Sequence, residues 1–341
     1  MILVVGTRPE CIKVAPLVKA LKEREISHTV LHTQQHTDLW HGTGLVPDQI
    51  LPEFPSHTDL FAQADRLQAL LTPYLQGQSV LVQGDTLTAY AAALACGPGQ
   101  TLIHLEAGVR SGNLKHPWPE ETFRVGIDAL TDLAFCATAS NAANLHSEGY
   151  TGQWFITGNT GVDACLSRQQ YVPMSQRHPG LIVLTLHRRE SFGEPIRRIL
   201  TGVAEFARAH GDVRVHWPVH PNPDIAKSLD GLELPRNIRR GPPLAYGTFL
   251  NKLAHAQMVV TDSGGVQEDA CTLGVPGIIC REVTDRPESV SLGHSLLAGR
   301  TAGGVVDGMT SALRGELRTD PGFVFGDGRA APVIADLLRN V

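Results

Sequence analysis

The sequence predicts an α/β protein made of two doubly wound parallel-sheet domains in tandem. Three observations carry this expectation. Short continuous apolar runs alternate with helical patterns, as parallel strands covered on both faces require. The alternation pauses once, at the polar stretch "SRQQYVPMSQRHPG" with its two prolines, and then restarts. The chain has 341 residues, more than one ordinary α/β core accommodates.

The elements follow in order. Residues 1–168 are expected to form the first domain, with strands at "ILVVG" (2–6), "HTVLHT" (28–33), "SVLVQG" (79–84), "TLIHLEAG" (101–108), "LAFCA" (133–137) and "WFITG" (154–158). Segments of helical periodicity, such as "PECIKVAPLVKALKER" and "NAANLHSEG", separate them. Residues 169–180 read as a linker. The second domain, expected over 181–326, repeats the pattern with "LIVLTL", "VRVHWPV", "QMVVTD" and "VPGIIC". A turn and one helix close the chain, with the helix in 327–341. In such sheets ligands bind beyond the carboxyl ends of the strands, so two facing sheets are expected to make an interdomain cleft.

Composition narrows the function. A net charge of −5 leaves no basic field for nucleic acid or an anionic membrane. No apolar run approaches the ~20 residues that span a bilayer. "MILVVGTRPE" enters a strand directly, without a basic region or cleavage site, so no secretory signal is expected and a cytoplasmic location is. The six cysteines are scattered without a CxxC pair, which argues against a zinc site and suits reduced thiols. Neither a metal nor a cofactor is expected.

The polar residues to weigh are those directly after strands. "GTRPECIK" has one glycine where a dinucleotide fingerprint needs three, but Arg8 and Lys13 are placed to reach a phosphate at a helix start. Asp85 follows "SVLVQG", where it serves equally as a helix N-cap. Glu106 ends an apolar strand, where an ionised carboxylate costs several kcal/mol unless paired or solvated. Glu120 and Glu121 open a proline-marked helix, and the helix dipole alone accounts for one of them. In the second half, His187, Arg188, Arg189 and Glu190 follow a strand, and the cations suit a diphosphate. His220, Arg281 and Arg286 sit at other strand ends. "TDSGGVQEDA" ends a strand in an acid, a hydroxyl and two glycines, with Asp262 or Ser263 as N-cap. Its glycines let the backbone approach an anion, although Glu268 and Asp269 would repel one. Carboxylates in one half and cations in the other match a nucleotide-sugar, and several acids around one sugar ring permit proton removal and return.

The stretches "GTRPECIKVAPL", "QGDT", "HLEAGVRSGN", "PWPEETFR", "ITGNTGVDA", "HRRESFG", "PVHPNP", "TDSGGVQEDA" and "TDRPES" run in order from Gly6 to Ser289. Together they closely resemble the non-hydrolysing UDP-N-acetylglucosamine 2-epimerases. The resemblance implies a GT-B-type fold of two Rossmann-like domains, with the last helix returning to the first domain. It implies interconversion of UDP-GlcNAc and UDP-ManNAc by anti elimination of UDP to 2-acetamidoglucal and re-addition, in a homodimer. It assigns acid/base work to Asp85, Glu106 and Glu120, and an essential place near the diphosphate to His187. Arg8, Lys13, Phe249, Ser263, Gly264, Gly265 and Arg286 would bind the nucleotide-sugar. Asp269 would hold the ribose hydroxyls where the family has Glu, one methylene longer.

Many bacterial members also bind a second, activating UDP-GlcNAc. Gln35, Arg188 and His220 match that site. Asp38 departs from the usual Gln or Glu, the region between Trp40 and Thr58 is short, and Gln63 aligns with an expected arginine, with Arg66 one turn later. The competing readings are a hydrolysing epimerase that releases UDP and ManNAc, a GT-B glycosyltransferase, and a non-catalytic nucleotide-sugar-binding protein. Intact Asp85, Glu106, Glu120 and His187 argue against the last.

Overall fold

The structure, a computed structural model, describes residues 1–35, 42–53 and 59–340. It divides into two compact units, Met1–Ala164 with Phe325–Val341, and Cys165–Val324.

Among the described residues the first unit contains a parallel seven-stranded sheet. Its strands are β1 (Ile2–Val5), β2 (Thr29–His32), β3 (Gln49–Ile50), β4 (Val80–Gln83), β5 (Leu102–Leu105), β6 (Leu133–Cys136) and β7 (Gln153–Ile156), in the order β3-β2-β1-β4-β5-β6-β7. Helices α1 (Arg8–Glu23), α2 (Leu60–Leu75), α3 (Leu87–Ala95), α4 (Glu120–Leu130) and α5 (Ala139–Ser147) lie between them, and α6 (Thr160–Leu166) follows β7. Successive strand residues serve opposite faces. Leu3, Val5, Leu81 and Ile103 meet Val14, Leu17 and Leu21 of α1 on one face. Val4, Val80, Val82 and Leu102 meet Leu67 and Leu71 of α2 and Ala89 and Ala92 of α3 on the other.

The second unit has a parallel six-stranded sheet of β8 (Leu181–Thr185), β9 (Arg214–Pro218), β10 (Ile238–Gly241), β11 (Met258–Thr261), β12 (Gly277–Ile279) and β13 (Ser295–Leu297). Their order is β10-β9-β8-β11-β12-β13. Its helices are α7 (Glu194–Ala209), α8 (Pro223–Ser228), α9 (Tyr246–Ala254), α10 (Gly264–Thr272), α11 (Pro287–Ser291) and α12 (Ala302–Leu313). Ile199, Leu200 and Val203 of α7 and Val305 and Met309 of α12 cover Ile182, Leu184 and Val260. Leu250 and Leu253 of α9 and Ala270 of α10 cover Val183 and Val259 on the opposite face.

The last helix, α13 (Ala330–Leu337), belongs to the first unit. Ala331, Ile334 and Ala335 enter the core that α1 shares with the sheet. The Asp163 carboxylate accepts the N–H groups of Ala330 and Ala331 at the start of this helix, and Arg24, directly after α1, pairs with Asp336. No described helix is long and apolar enough to cross a membrane.

Each sheet reverses its strand order beside its first strand: β1 lies between β2 and β4, and β8 between β9 and β11. Such switch points are where open α/β sheets bind ligands. They bring the Gly6–Arg8 loop beside the Gly84–Thr86 loop, and the His187 loop beside Asp262–Gly265.

Candidate active site

The polar cluster of the first unit is held by backbone close-packing behind the β1 loop. A Cβ on Gly6 would lie 2.1 Å from Thr88 Oγ1 and 2.2 Å from Thr33 Oγ1, so only glycine fits. Those two hydroxyls are themselves 2.7 Å apart. Gln35, which the resemblance places in a second site, turns its amide oxygen to the Thr88 N–H and hydroxyl at 3.0 and 2.8 Å. Glu10 is wholly buried in the same place. It accepts from the N–H groups of Gly6 and Thr7 at 3.0 and 2.7 Å and from the Thr86 hydroxyl at 2.7 Å. Glu10 thereby ties the Gly6–Thr7 turn, directly before Arg8, to the loop that carries Asp85. Burial outweighs these bonds and raises its carboxyl to about 7.

Asp85 follows β4, and its half-exposed carboxylate is bonded by the buried Arg124 guanidinium of α4. Thr86, not Asp85, caps α3 by accepting from Ala89 N–H at 3.0 Å. The carboxylate of Asp85 is thus released from the capping role that its position suggested. Glu120 and Glu121 separate clearly. Glu121 is buried and accepts from Ser111 N–H, Gly112 N–H and Arg124, while Glu120 is only half-buried at the start of α4.

Glu106 has φ +70°, a conformation that side chains rarely adopt. Its side chain is 8% exposed, and Oε2 receives Lys13 Nζ at 2.5 Å and Gln83 Nε2 at 2.7 Å. Lys13, expected to reach a phosphate, here lies on this acid. Beneath Glu106, the buried His104 bonds Asp128 through Nδ1 at 2.6 Å and the Gly84 carbonyl through Nε2 at 2.8 Å. Asp128 also accepts from Gly108 N–H and Arg110. Burial works to raise the Asp128 carboxyl, but His104 and Arg110 override it and hold it below its usual range. This network fastens the carbonyl before Asp85 and the amide two residues after Glu106.

In the second unit, Asp262 is fully buried at the end of β11 and accepts from the N–H groups of His187 (3.1 Å) and Arg188 (3.0 Å). Its Oδ1 also lies 3.4 Å from His187 Nδ1, which fixes the ring's orientation. The His187 imidazole stacks on His220, 5.9 Å between centroids. Burial lowers the pKa of His187; Asp262 opposes this, and Arg188 and His220 reinforce it. Ser263 is the N-cap of α10, accepting from Val266 N–H, so Asp262 is free of capping and serves the histidine.

Gly264 and Gly265 form the first turn of α10. An added Cβ at Gly264 would crowd Asp285 Oδ1 at 3.3 Å and approach Arg188 and Arg286, whereas at Gly265 it would meet nothing. The helix start is therefore bare backbone beside two arginines, which is anion-binding geometry. Arg286 is nearly buried and pairs with Glu268, which answers why an acid sits so close to a phosphate-like cradle. Asp269, one turn into α10, accepts from the Tyr246 hydroxyl at 2.9 Å. Phe249 lies half-buried on α9, packed on the core beside Tyr246. Of the second-site positions, His220 is exposed, Arg66 is exposed, Gln63 is half-buried, and Asp38, Trp40 and Thr58 lie outside the described residues.

The family model described as UDP-N-acetylglucosamine 2-epimerase matches residues 19–339. The Escherichia coli K12 UDP-N-acetylglucosamine 2-epimerase is 34% identical over 366 residues, covering 99% of this chain and 97% of that protein. A probable UDP-N-acetylglucosamine 2-epimerase of Ralstonia nicotianae is 35% identical over 371 residues, covering 99% and 98%. The Neisseria meningitidis UDP-GlcNAc 2-epimerase bound to UDP-GlcNAc has a similar structure, with TM-score 0.91, 29% identity and coverage of 100% and 99%. The Methanocaldococcus jannaschii enzyme in complex with UDP-GlcNAc and UDP gives TM-score 0.88, 30% identity and coverage of 100% and 99%. Two Rossmann-like parallel-sheet units are the GT-B-type class that the sequence predicts. The chain belongs to the UDP-N-acetylglucosamine 2-epimerase family.

Proposed function

We propose that this protein interconverts UDP-GlcNAc and UDP-ManNAc without net hydrolysis. The observation that carries the reading is the cluster of polar residues at the switch point of each sheet. One presents Asp85, Glu106 and Glu120; the other presents His187 on Asp262 and the glycine start of α10. A carboxylate of the first unit removes the proton on C2 of the sugar, the C–H electron pair becomes the C1–C2 double bond, and the C1–O bond to UDP breaks. Re-addition of UDP to C1 of the resulting 2-acetamidoglucal, with a proton delivered to the other face of C2, gives the epimer. His187, Arg8 and Arg286 stabilise charge on the departing diphosphate, and the backbone at Ser263, Gly264 and Gly265 receives its oxygens. Phe249 contributes to holding the nucleotide-sugar, and Asp269 holds the ribose hydroxyls. The solved relatives that hold UDP-GlcNAc and UDP support this choice of ligand.

The "SGGVQED" and "TDRPE" stretches resemble the non-hydrolysing branch of the family more than the hydrolysing one, which supports this reading over release of free ManNAc. The reading extends to a cytoplasmic homodimer; six free cysteines accord with a reducing compartment, and light scattering in solution tests the dimer. Proton NMR of UDP-GlcNAc in deuterated water tests the reaction. Deuterium at C2 with UDP-ManNAc as a minor equilibrium species is expected. Stoichiometric ManNAc and UDP would establish hydrolysis instead, and binding without label or turnover would establish a non-catalytic binding protein.

A further inference from the structure

Glu106 combines two features that are seldom found together. Its backbone is left-handed at φ +70°, and its carboxylate has one oxygen, Oε2, gripped by donors from two other elements. The backbone is pinned by Phe135, whose carbonyl on β6 accepts the N–H groups of both Glu106 and Ala107 at 3.0 and 3.2 Å. A strained main chain of this kind persists where the surroundings over-determine it, and such positions cluster at functional sites.

The two donors differ in kind. Lys13 is a flexible ammonium on α1, its side chain 14% exposed, which an arriving diphosphate would draw away electrostatically. Gln83 is the last residue of β4, 4% exposed, and pairs in register with Leu105, directly before Glu106. Its amide carries no net charge and is buried, so a phosphate pulls on it far less than on the Lys13 ammonium. Its place is fixed by the parallel ladder that also joins Gly84 N–H to the Leu105 carbonyl at 3.0 Å. The chain continues from Gln83 through Gly84 to Asp85, so one short stretch supplies an acid and grips another.

We infer that Gln83 is a positioning residue for the reaction: its amide holds the Glu106 carboxylate in the orientation for proton transfer at C2. This rests on the acid/base role given to Glu106 above. A hydrogen bond to a charged group sets the expected size of the effect, a tenfold to hundredfold change in rate.

The test compares wild type, Gln83→Met, Glu106→Gln and the double variant. Epimerisation and deuterium entry at C2 are measured by NMR, UDP affinity by calorimetry and folding by thermal melting. Q83M is expected to lower kcat about ten- to hundredfold with KM and UDP affinity nearly unchanged. In the E106Q background the same change is expected to cost almost nothing further, because its effect passes through Glu106. Equal loss in both backgrounds, or a Q83M rate within about twofold of wild type, overturns the inference, twofold being well below a hydrogen bond's worth. Should Q83M misfold, Gln83→Asn, which withdraws the amide by one methylene, is read by the same criteria. A wild type that neither labels nor epimerises UDP-GlcNAc refutes the reaction itself; a labelling wild type matched by Q83M refutes the positioning role alone.

Discussion

The hydroxyl of Tyr246 donates to Oδ1 of Asp269 across 2.9 Å, joining the first turn of α9 to the second turn of α10. Both residues are close to the core, and the Arg168 guanidinium lies over the Tyr246 ring, 5.6 Å from its centroid. A short acid on a helix would otherwise rotate among rotamers, and a donor on one oxygen orients the other. If Asp269 grips the ribose, Tyr246→Phe should weaken UDP about tenfold, the worth of one bond to a charged group. Binding of 2′-deoxy-UDP should change less, so the preference for the ribose form should narrow. Calorimetry with the two nucleotides measures it; equal weakening of both would detach Tyr246 from ribose recognition.

Glu10 makes stability depend on pH. Its carboxyl is raised by burial from 4.5 to about 7, so the folded protein holds a proton that the unfolded chain has released. The stabilisation is complete below pH 4.5 and is lost as pH rises through 7, with a span of roughly 3 kcal/mol. Asp163, raised by burial from 3.8 to about 6, adds a loss of the same sign in its own, lower window. In Glu10→Gln the amide oxygen takes the Gly6 and Thr7 N–H groups, and the amide nitrogen faces the Thr86 hydroxyl. The variant should therefore melt with a flatter pH profile and gain on wild type between pH 5 and about 8, where the ionised acid is penalised. Parallel profiles would mean that the Glu10 carboxyl titrates in its usual range.

Most of this fold was legible because its central strands are continuous apolar runs. Three edge strands were not. β3 is two exposed residues, β10 reads "IRRG" and β13 reads "SLL", and a strand paired on one side needs little hydrophobic pattern. At the site, residue types after strands pointed to Asp85, Glu106 and His187. The sequence did not distinguish Glu120 from Glu121, because the difference lies in the turn at Ser111–Gly112 that folds back onto Glu121. Gln83 was hidden for a related reason: an amide at the end of an apolar strand is an ordinary strand end until the φ of Glu106 brings the acid onto it. Asp262 looked like a helix cap, and only the β8–β11 pairing shows that it faces His187.

The carboxylates and the histidine should separate binding from chemistry. Asp85→Asn and Glu106→Gln should leave UDP affinity nearly intact and lower the rate about 10²–10⁴-fold, the usual span of general acid–base catalysis. His187→Ala should slow turnover through loss of leaving-group stabilisation. Asp262→Asn should follow His187→Ala, since the amide leaves two backbone N–H groups and the imidazole with fewer acceptors. An E106Q enzyme that kept more than about a tenth of wild-type rate would remove Glu106 from the acid/base role.

Activation by a second nucleotide-sugar should be weak or absent in this protein. Of the positions that match the family's activator site, Gln35 is bound to the N–H and hydroxyl of Thr88. A ligand that used the Gln35 amide oxygen would have to break or share those bonds. The arginine expected on α2 is Gln63 here, and Arg66 lies exposed one turn later. Loss of one charge-assisted contact to a diphosphate weakens binding roughly ten- to hundredfold, comparable with a whole allosteric coupling. Epimerisation starting from pure UDP-ManNAc should therefore begin without a lag and follow a hyperbolic rate curve. The competing outcome is that Arg66 reaches the missing position. It would show as a lag abolished by trace UDP-GlcNAc and lengthened in Arg66→Ala, and it would restore the activator site to this chain.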